Sequence, residues 1–375
     1  MNAEKLRRQL VKNPFWNSNR AALFWLTGAL VGASLGWLAM AMNSGAFIPH
    51  DGRWAVAPGE FTADGFSAQK KLLKLPDSRV AYIELGRGPP LLLLHGCPFS
   101  AYEWSAVLPE LAKHFRVIVP DLRGLGDTPV RLNDDYRLPT DVTLVRQLMD
   151  ELDIPSAYFV AHDHGGAVLQ LLMQHDPARI TKAVISNAEA YDQWPSAPEV
   201  PILKAIVHPV TSPVMYHALK FEWAQRLAFS IAVHDVDTLT PALLRGYALP
   251  HVATPERWQR LRRFFRWQLD PAHAQLTVDA VPAMRAFRAP ALLLWGEQDE
   301  NFGPRVARRL ARDIPGVTGI HFLKRSEHMP FAEEPDEYAQ TVIAFLKFGS
   351  VAPHATKALA AARADSQAQP MARGH

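Results

Sequence analysis

With 375 residues, 48% of them hydrophobic, the chain has apolar side chains enough for a sizeable core, which excludes disorder along most of its length. The charges nearly cancel at +3 and much of the basic excess lies at the N-terminus, so no basic stripe interleaved with aromatics argues for nucleic-acid binding. A single cysteine, Cys97, rules out an internal disulfide.

The N-terminal residues 1–20 are basic, with Lys5, Arg7, Arg8, Lys12 and Arg20 against Glu4. The next stretch, 21–42, reads AALFWLTGALVGASLGWLAMAM and carries no charge. Roughly 20 such residues cross the hydrocarbon core as a helix. The sequence therefore predicts an uncleaved transmembrane signal-anchor. The charge asymmetry leaves the N-terminus in the cytoplasm and the rest on the far side, periplasmic or extracellular in a bacterium. Two readings compete with it: export with cleavage after Ala41, in the small-residue site LAMA, and a twin-arginine signal in RRQLVK. Residues 43–68 read as a linker.

From 69 onwards strand-like and helical patterns alternate. KKLLKL and RVAYIEL form an opening pair of strands, and PPLLLLHG, a continuous apolar run between prolines and glycine, fits a buried parallel strand. WSAVLPELAKHF has helical spacing, RVIVPDLRG is a strand and DVTLVRQLMDELDI a helix. AYFVAHD, GAVLQLLMQHDP and ITKAVISNA continue as strand, helix and strand. This rhythm predicts an α/β fold with a mostly parallel twisted sheet between helices. It breaks over 191–286, a stretch rich in Pro, Trp and His with helical patches, expected to be a helical lid over the strand ends. Strands return in APALLLWGEQD and VTGIHFLK, and EYAQTVIAFLKF is a closing helix. The core is thus 69–190 with 287–348, and the Ala-rich, polar stretch 349–375 reads as a disordered tail.

Asp163 falls on the turn between AYFVAHD and the following helix, with Ala161 and Gly165 as small neighbours. That pattern, small-x-nucleophile-x-small, is the strained strand-to-helix elbow usually written with serine. A metal at His162-Asp163-His164 fits poorly, because adjacent residues on such a turn point apart and the known zinc spacings are absent. Asp299 lies just past one later strand and His328 past the next, giving the order nucleophile, acid, histidine. Asp299 is preferred as the acid because its loop reaches farther than Glu297; Glu189, close after Asn187 on the preceding strand, is a minor candidate. The loop after the third strand supplies the Cys97 N–H, and the elbow the His164 N–H, as donors to an oxyanion or a halide, with His95 bracing the loop.

Over 69–348 these segments resemble the α/β-hydrolase superfamily. HGCP, PDLRGLGDT, AHDHGG, WGEQD and SEHMPF resemble the motifs of its epoxide hydrolase and haloalkane dehalogenase branches, which carry Asp at the elbow. The implied chemistry is attack by Asp163 on a saturated carbon of a small apolar substrate, followed by hydrolysis of the alkyl ester by water that His328 activates. No metal, nucleotide or flavin is called for. Epoxide hydrolases place lid tyrosines, sometimes a histidine, near the epoxide oxygen, which makes Tyr216, Tyr247 and His208 the candidates. Haloalkane dehalogenases usually carry Trp after the nucleophile and Asn or Glu in the loop motif, where this chain has His164 and Cys97. SAYEW after the loop resembles the dehalogenase version, and Trp194, Trp223, Trp258 or Trp267 offers an indole donor. The basic residues that follow the elbow in fluoroacetate-type dehalogenases are missing. The expectation is therefore epoxide hydrolysis to a diol, with haloalkane dehalogenation as the alternative. An ester hydrolase and a non-catalytic small-ligand binder on the same fold are further alternatives.

Overall fold

The computed structural model describes residues 14–61 and 66–367. The first basic residues, through 13, and the last eight of the tail lie outside them. An eight-stranded sheet runs in the order β10-β9-β8-β7-β4-β5-β3-β2. Its strands are β2 (Lys71–Lys74), β3 (Arg79–Leu85), β4 (Pro90–Leu94), β5 (Arg116–Pro120), β7 (Ala157–His162), β8 (Ile180–Ser186), β9 (Ala291–Gly296) and β10 (Val317–Leu323). β3 pairs antiparallel with both β2 and β5, and the other pairs are parallel. Strand periodicity puts alternate side chains on opposite faces. β4 accordingly sends Leu92 and Leu94 into one core and Leu91 and Leu93 into the other. Each fully buried leucine contributes about 1.5–3 kcal/mol, which is why this strand reads as an unbroken apolar run.

The helices, in chain order, are α1 (Pro14–Asn43), α2 (Leu138–Glu151) and α3 (Asp163–His175). Between β8 and β9 follow α4 (Val200–Val207), α5 (Ser212–Ala218), α6 (Glu222–Phe229), α7 (Pro241–Val252), α8 (Pro255–Gln268), α9 (Pro271–Asp279) and α10 (Val281–Ala286). They form a helical insertion. α11 (Pro304–Asp313), α12 (Pro335–Phe348) and α13 (Pro353–Gln367) complete the chain. WSAVLPELAKHF is not one helix: a 3-10 turn, Ala101–Ala106, leads into a single α-turn, Leu108–Leu111. Within α1, Trp25–Asn43 is long and apolar enough to cross a bilayer, a test that a signal sequence also passes.

Two further expectations need correction. Residues 43–68 are more than a linker, since β1 (Trp54–Val56) pairs antiparallel with β6 (Val130–Arg131). Ala55 joins Leu125, Val130 and Leu132 in a third apolar cluster. The tail is helical through Gln367: alanine is the strongest helix former, and Ala355, Leu359 and Ala362 make a stripe that packs on β10 and α11.

The segment PDLRGLGDT ties this frame together. Lys70 is buried with its Nζ 2.7 Å from Asp121 Oδ2 and 2.7 Å from Asp127 Oδ2. The Arg257 guanidinium of α8 is 2.9 Å from Asp127 Oδ1. Asp121 Oδ1 also accepts the Ala101 N–H at 2.8 Å, fixing the stretch after the Cys97 loop. Lys70→Met strands two buried carboxylates on one cation. We expect a loss of about 3–5 kcal/mol, read as an earlier denaturant midpoint; an unmoved midpoint contradicts this account.

Candidate active site

β7 ends at His162 and α3 begins at Asp163, whose backbone takes φ +51°. A non-glycine residue there is strained, at a cost of order 1–3 kcal/mol, and such strain persists only where neighbours over-determine it. The neighbours are visible. A Cβ on Gly165 would lie 2.3 Å from the Leu94 carbonyl oxygen, and one on Gly96 would lie 2.7 Å from Asp163 Cβ. The small residues thus let two loops and the elbow meet. The turn presents Asp163 at the start of a helix, where unpartnered N–H groups favour negative charge.

Asp163 Oδ1 accepts the Cys97 N–H at 2.6 Å, and Oδ2 faces His328 Nε2 at 3.5 Å. His328 Nδ1 faces Asp299 Oδ2 at 3.4 Å. Asp299 is held in turn: Oδ2 accepts Asn187 Nδ2–H at 2.7 Å, and Oδ1 accepts the N–H groups of Asn301 at 2.7 Å and Phe302 at 3.0 Å. Burial works against the Asp163 charge, but the hydrogen bond and charge of His328 outweigh it and hold the carboxyl at about 2. Burial likewise opposes a charged His328, yet Asp299 and Asp163 raise it well above the ordinary imidazole range. The resting arrangement is an imidazolium between two carboxylates. Such a set can offer Asp163 as a nucleophile, and loss of the Asp163 charge frees His328 to act as a base.

The other predicted residues divide. His95 Nε2 accepts the Leu122 N–H at 2.9 Å, which leaves Nδ1–H to donate to the Gly96 carbonyl at 2.8 Å, in the Cys97 loop. The His164 side chain does not reach a substrate space. It is fully buried, 2.9 Å from Glu189 Oε2 and 3.6 Å from Asp141 Oδ2. Burial pulls its pKa down, but the two carboxylates raise it to about 10. Only its N–H, in the first turn of α3, remains as a donor to a substrate. Glu189 therefore partners His164 and not His328.

An apolar cavity is lined by Phe99, Leu203, Ile206, Phe229, Trp258, Leu261 and Phe265, and it reaches His328 and Cys97. Tyr216, Tyr247 and His208 are not on its wall. Tyr216 packs behind Trp258 and under the Lys220 ammonium, Tyr247 packs edge-on behind Phe99, and His208 is exposed. Of the four candidate tryptophans Trp258 alone lines the cavity, and its Nε1–H is spent on Ser212 Oγ at 3.0 Å.

Polar groups that the sequence reading missed do line it: Glu199, His251 and Asn301. His251 Nε2–H donates to the Pro98 carbonyl at 2.5 Å, and Asn301 bridges Ser196 Oγ and the Ile231 carbonyl, each at 2.9 Å. Glu199 accepts the Ser196 N–H at 2.8 Å. Burial first, and then the Asp163 charge, push its carboxyl up to about 7. Its one sequence signal is an isolated acid in the apolar stretch SAPEVPILKAIV. Also missed is Glu103, whose carboxylate accepts the Gly96 N–H at 3.1 Å and faces His162 Nδ1 at 2.9 Å. His162 Nε2 is in turn 2.9 Å from the His328 carbonyl. His162 and His164 point to different partners, as the turn geometry requires.

Residues 89–335 match the α/β hydrolase fold family. A haloalkane dehalogenase of Mycobacterium marinum is 31% identical over 286 residues, covering 72% of this chain and 89% of that one. A soluble epoxide hydrolase of Corynebacterium is 35% identical over 156 residues, 40% of this chain and half of that protein's length. Among solved structures, a haloalkane dehalogenase of Bradyrhizobium elkani superposes with a TM-score of 0.62 at 22% identity, covering 79% of this chain and 99% of that one. At that identity it speaks for the fold alone.

Proposed function

The chain belongs to the α/β-hydrolase fold family, and from that premise we propose that it hydrolyses epoxides to diols with Asp163 as nucleophile and the helical insertion as lid. The observation that carries this reading is Glu199, a carboxyl with a raised pKa on the wall of an apolar cavity that also reaches His328. An epoxide oxygen needs an acid as its ring opens; a halide needs N–H donors, and the lining indole is already spent on Ser212. The relative from Mycobacterium marinum is named a dehalogenase, but the donor set speaks for the other branch.

In this reading Asp163 attacks an oxirane carbon, the bond from that carbon to oxygen breaks, and the oxygen takes its proton from Glu199. The product is a hydroxyalkyl ester of Asp163. With the Asp163 charge gone, His328 gives its proton through solvent to Glu199 and becomes the base. It draws a proton from water, which attacks the ester carbonyl carbon, and the oxyanion forms where the Cys97 N–H already points. The leaving alkoxide takes a proton from His328, and the new Asp163 carboxyl hands its own back. Diol leaves and every group returns to its starting state.

The sign of the pH dependence follows from Glu199. Its acid form prevails below a pKa of about 7, so the rate of ring opening is full on the acid side and falls as pH climbs through that value. Glu199→Gln is expected to lower the ring-opening rate about 10²-fold or more and to erase that alkaline limb. The test is a panel of terminal epoxides and primary alkyl halides, with diol and free halide both measured. Diol from epoxides, with an alkaline limb that vanishes in Glu199→Gln, supports the proposal; halide release without diol overturns it.

A further inference from the structure

The outer face of the insertion carries large apolar side chains that the described residues leave uncovered. Val210, Val214, Phe221, Trp223 and Leu227 are 45–68% exposed, all on α5, α6 and the turns beside them. An exposed patch of that kind marks an interaction surface. What covers it is indicated by α1. The end of that helix is fixed to the same region: Trp37 Nε1–H donates to the Val210 carbonyl at 2.8 Å, and His217 Nε2 is 3.3 Å from the Met40 carbonyl. Ala41 and Ser44 are buried, and Gln259 Nε2–H donates to the Ser44 carbonyl at 3.3 Å. Farther back the helix stands clear, with Leu26, Leu30 and Leu35 each more than 60% exposed.

We propose that α5 and α6 dock on a lipid bilayer beside a membrane-spanning α1, and that the cavity draws apolar substrate from the lipid. The geometry sets the depth. From Trp37 to Asn43 α1 rises about 10 Å at 1.5 Å per residue, and over this length it overlaps the insertion. A bilayer-crossing α1 that uses Trp25–Asn43 therefore brings α5 and α6 level with its last turns. Interfacial amphipathic helices bury their apolar face about 5–10 Å deep, so the depths agree. Trp223 suits the headgroup level, and exposed Lys204 and Lys220 suit the phosphate layer above it. A second copy of the chain gives no such match of depth with the spanning helix. Ala228 and Phe229 of α6, and Leu219 just past the end of α5, line the cavity. At α6, one thickness of helix thus lies between the exposed Trp223 and Leu227 and the cavity.

Docking does not depend on the epoxide reading; only the identity of the substrate rests on it. The test uses the full chain in nanodiscs of phosphatidylcholine and phosphatidylglycerol. Spin labels are placed singly through Val214→Cys, Phe221→Cys or Leu227→Cys in a Cys97→Ser background, with Lys113→Cys as a control beyond the opposite end of the strands. The expected result is a ratio of oxygen to nickel-chelate accessibility several times higher at the three sites than at the control. Equal ratios at all four sites overturn the proposal. A second measurement replaces Phe221, Trp223 and Leu227 together by serine. KM for a long-chain epoxide presented in the bilayer should rise about tenfold, a loss of 1.4 kcal/mol, with KM for a short water-soluble epoxide unchanged. Equal KM changes for both overturn delivery from lipid. Labels in lipid with no epoxide turnover uphold docking and reject the epoxide reading instead.

Discussion

His328→Phe protein mixed with a terminal epoxide is expected to gain the mass of one intact epoxide on Asp163 and then stop. The reasoning is positional. His328 Nε2 stands 3.5 Å from Asp163 Oδ2, where it can activate water against an ester of Asp163 but is not itself the attacking group. A phenyl ring fills the space and cannot take a proton. Alkylation then proceeds and hydrolysis does not, so the steady-state rate drops about 10⁴-fold or more, as when a catalytic base is removed. Intact mass and peptide mapping read the outcome. The retained oxygen matters: an adduct of epoxide mass speaks for ring opening, and a plain alkyl adduct from a halide speaks for dehalogenation. Continued turnover in the Phe variant, or an adduct on another residue, sinks the assignment of Asp163 and His328 together.

Asp163→Asn removes the charge that attacks in the proposed reaction while keeping the shape. Asparagine tolerates the left-handed conformation that φ +51° demands, and its Oδ1 can still accept the Cys97 N–H. The fold should therefore stand, with a melting curve close to that of the parent. Activity should fall about 10⁴-fold or more, since an amide is a poor nucleophile toward saturated carbon. A second signature separates this from simple misfolding. His328 is held protonated by Asp299 and Asp163; with one carboxylate gone, its pKa must fall, which ring-carbon NMR shifts in a labelled protein measure. Wild-type turnover with an unmoved His328 titration would falsify the two-carboxylate account.

Much of the sheet is legible in the sequence because a strand buried on both faces has no polar alternation to disguise it. PPLLLLHG and APALLLWGEQD are such strands, and both lie in the interior of the sheet. The elbow is legible for a different reason: Gly165 and Gly166 are small because the Leu94 carbonyl and Ala188 leave no room for a Cβ. The chain order of Asp163, Asp299 and His328 reflects strand order, and the three lie at 3.4–3.5 Å contacts. The insertion is another matter. Whether Tyr216 or Tyr247 reaches the cavity depends on how short helices cross, and their side chains end one layer out, behind Trp258 and Phe99. Glu199 gives no periodic signal at all; its character comes from desolvation on the cavity wall and from the Asp163 charge. The C-terminal helix was hidden by its composition, since Ala-rich polar sequence resembles a flexible tail until Ala355 and Ala362 find a partner surface in β10 and α11.

Glu103, His162 and the backbone of His328 join end to end, from the Gly96 amide to the histidine loop. One string of polar contacts thus spans the Cys97 loop and the His328 loop, which in the proposed reaction steady an oxyanion and supply the base. Most of the cavity wall comes instead from a separate set of short helices inserted between β8 and β9. Changes in those helices can therefore enlarge, narrow or re-shape the space for substrate while the string keeps its dimensions. Substrate range and reaction chemistry are in this way free to evolve at different speeds within a single chain.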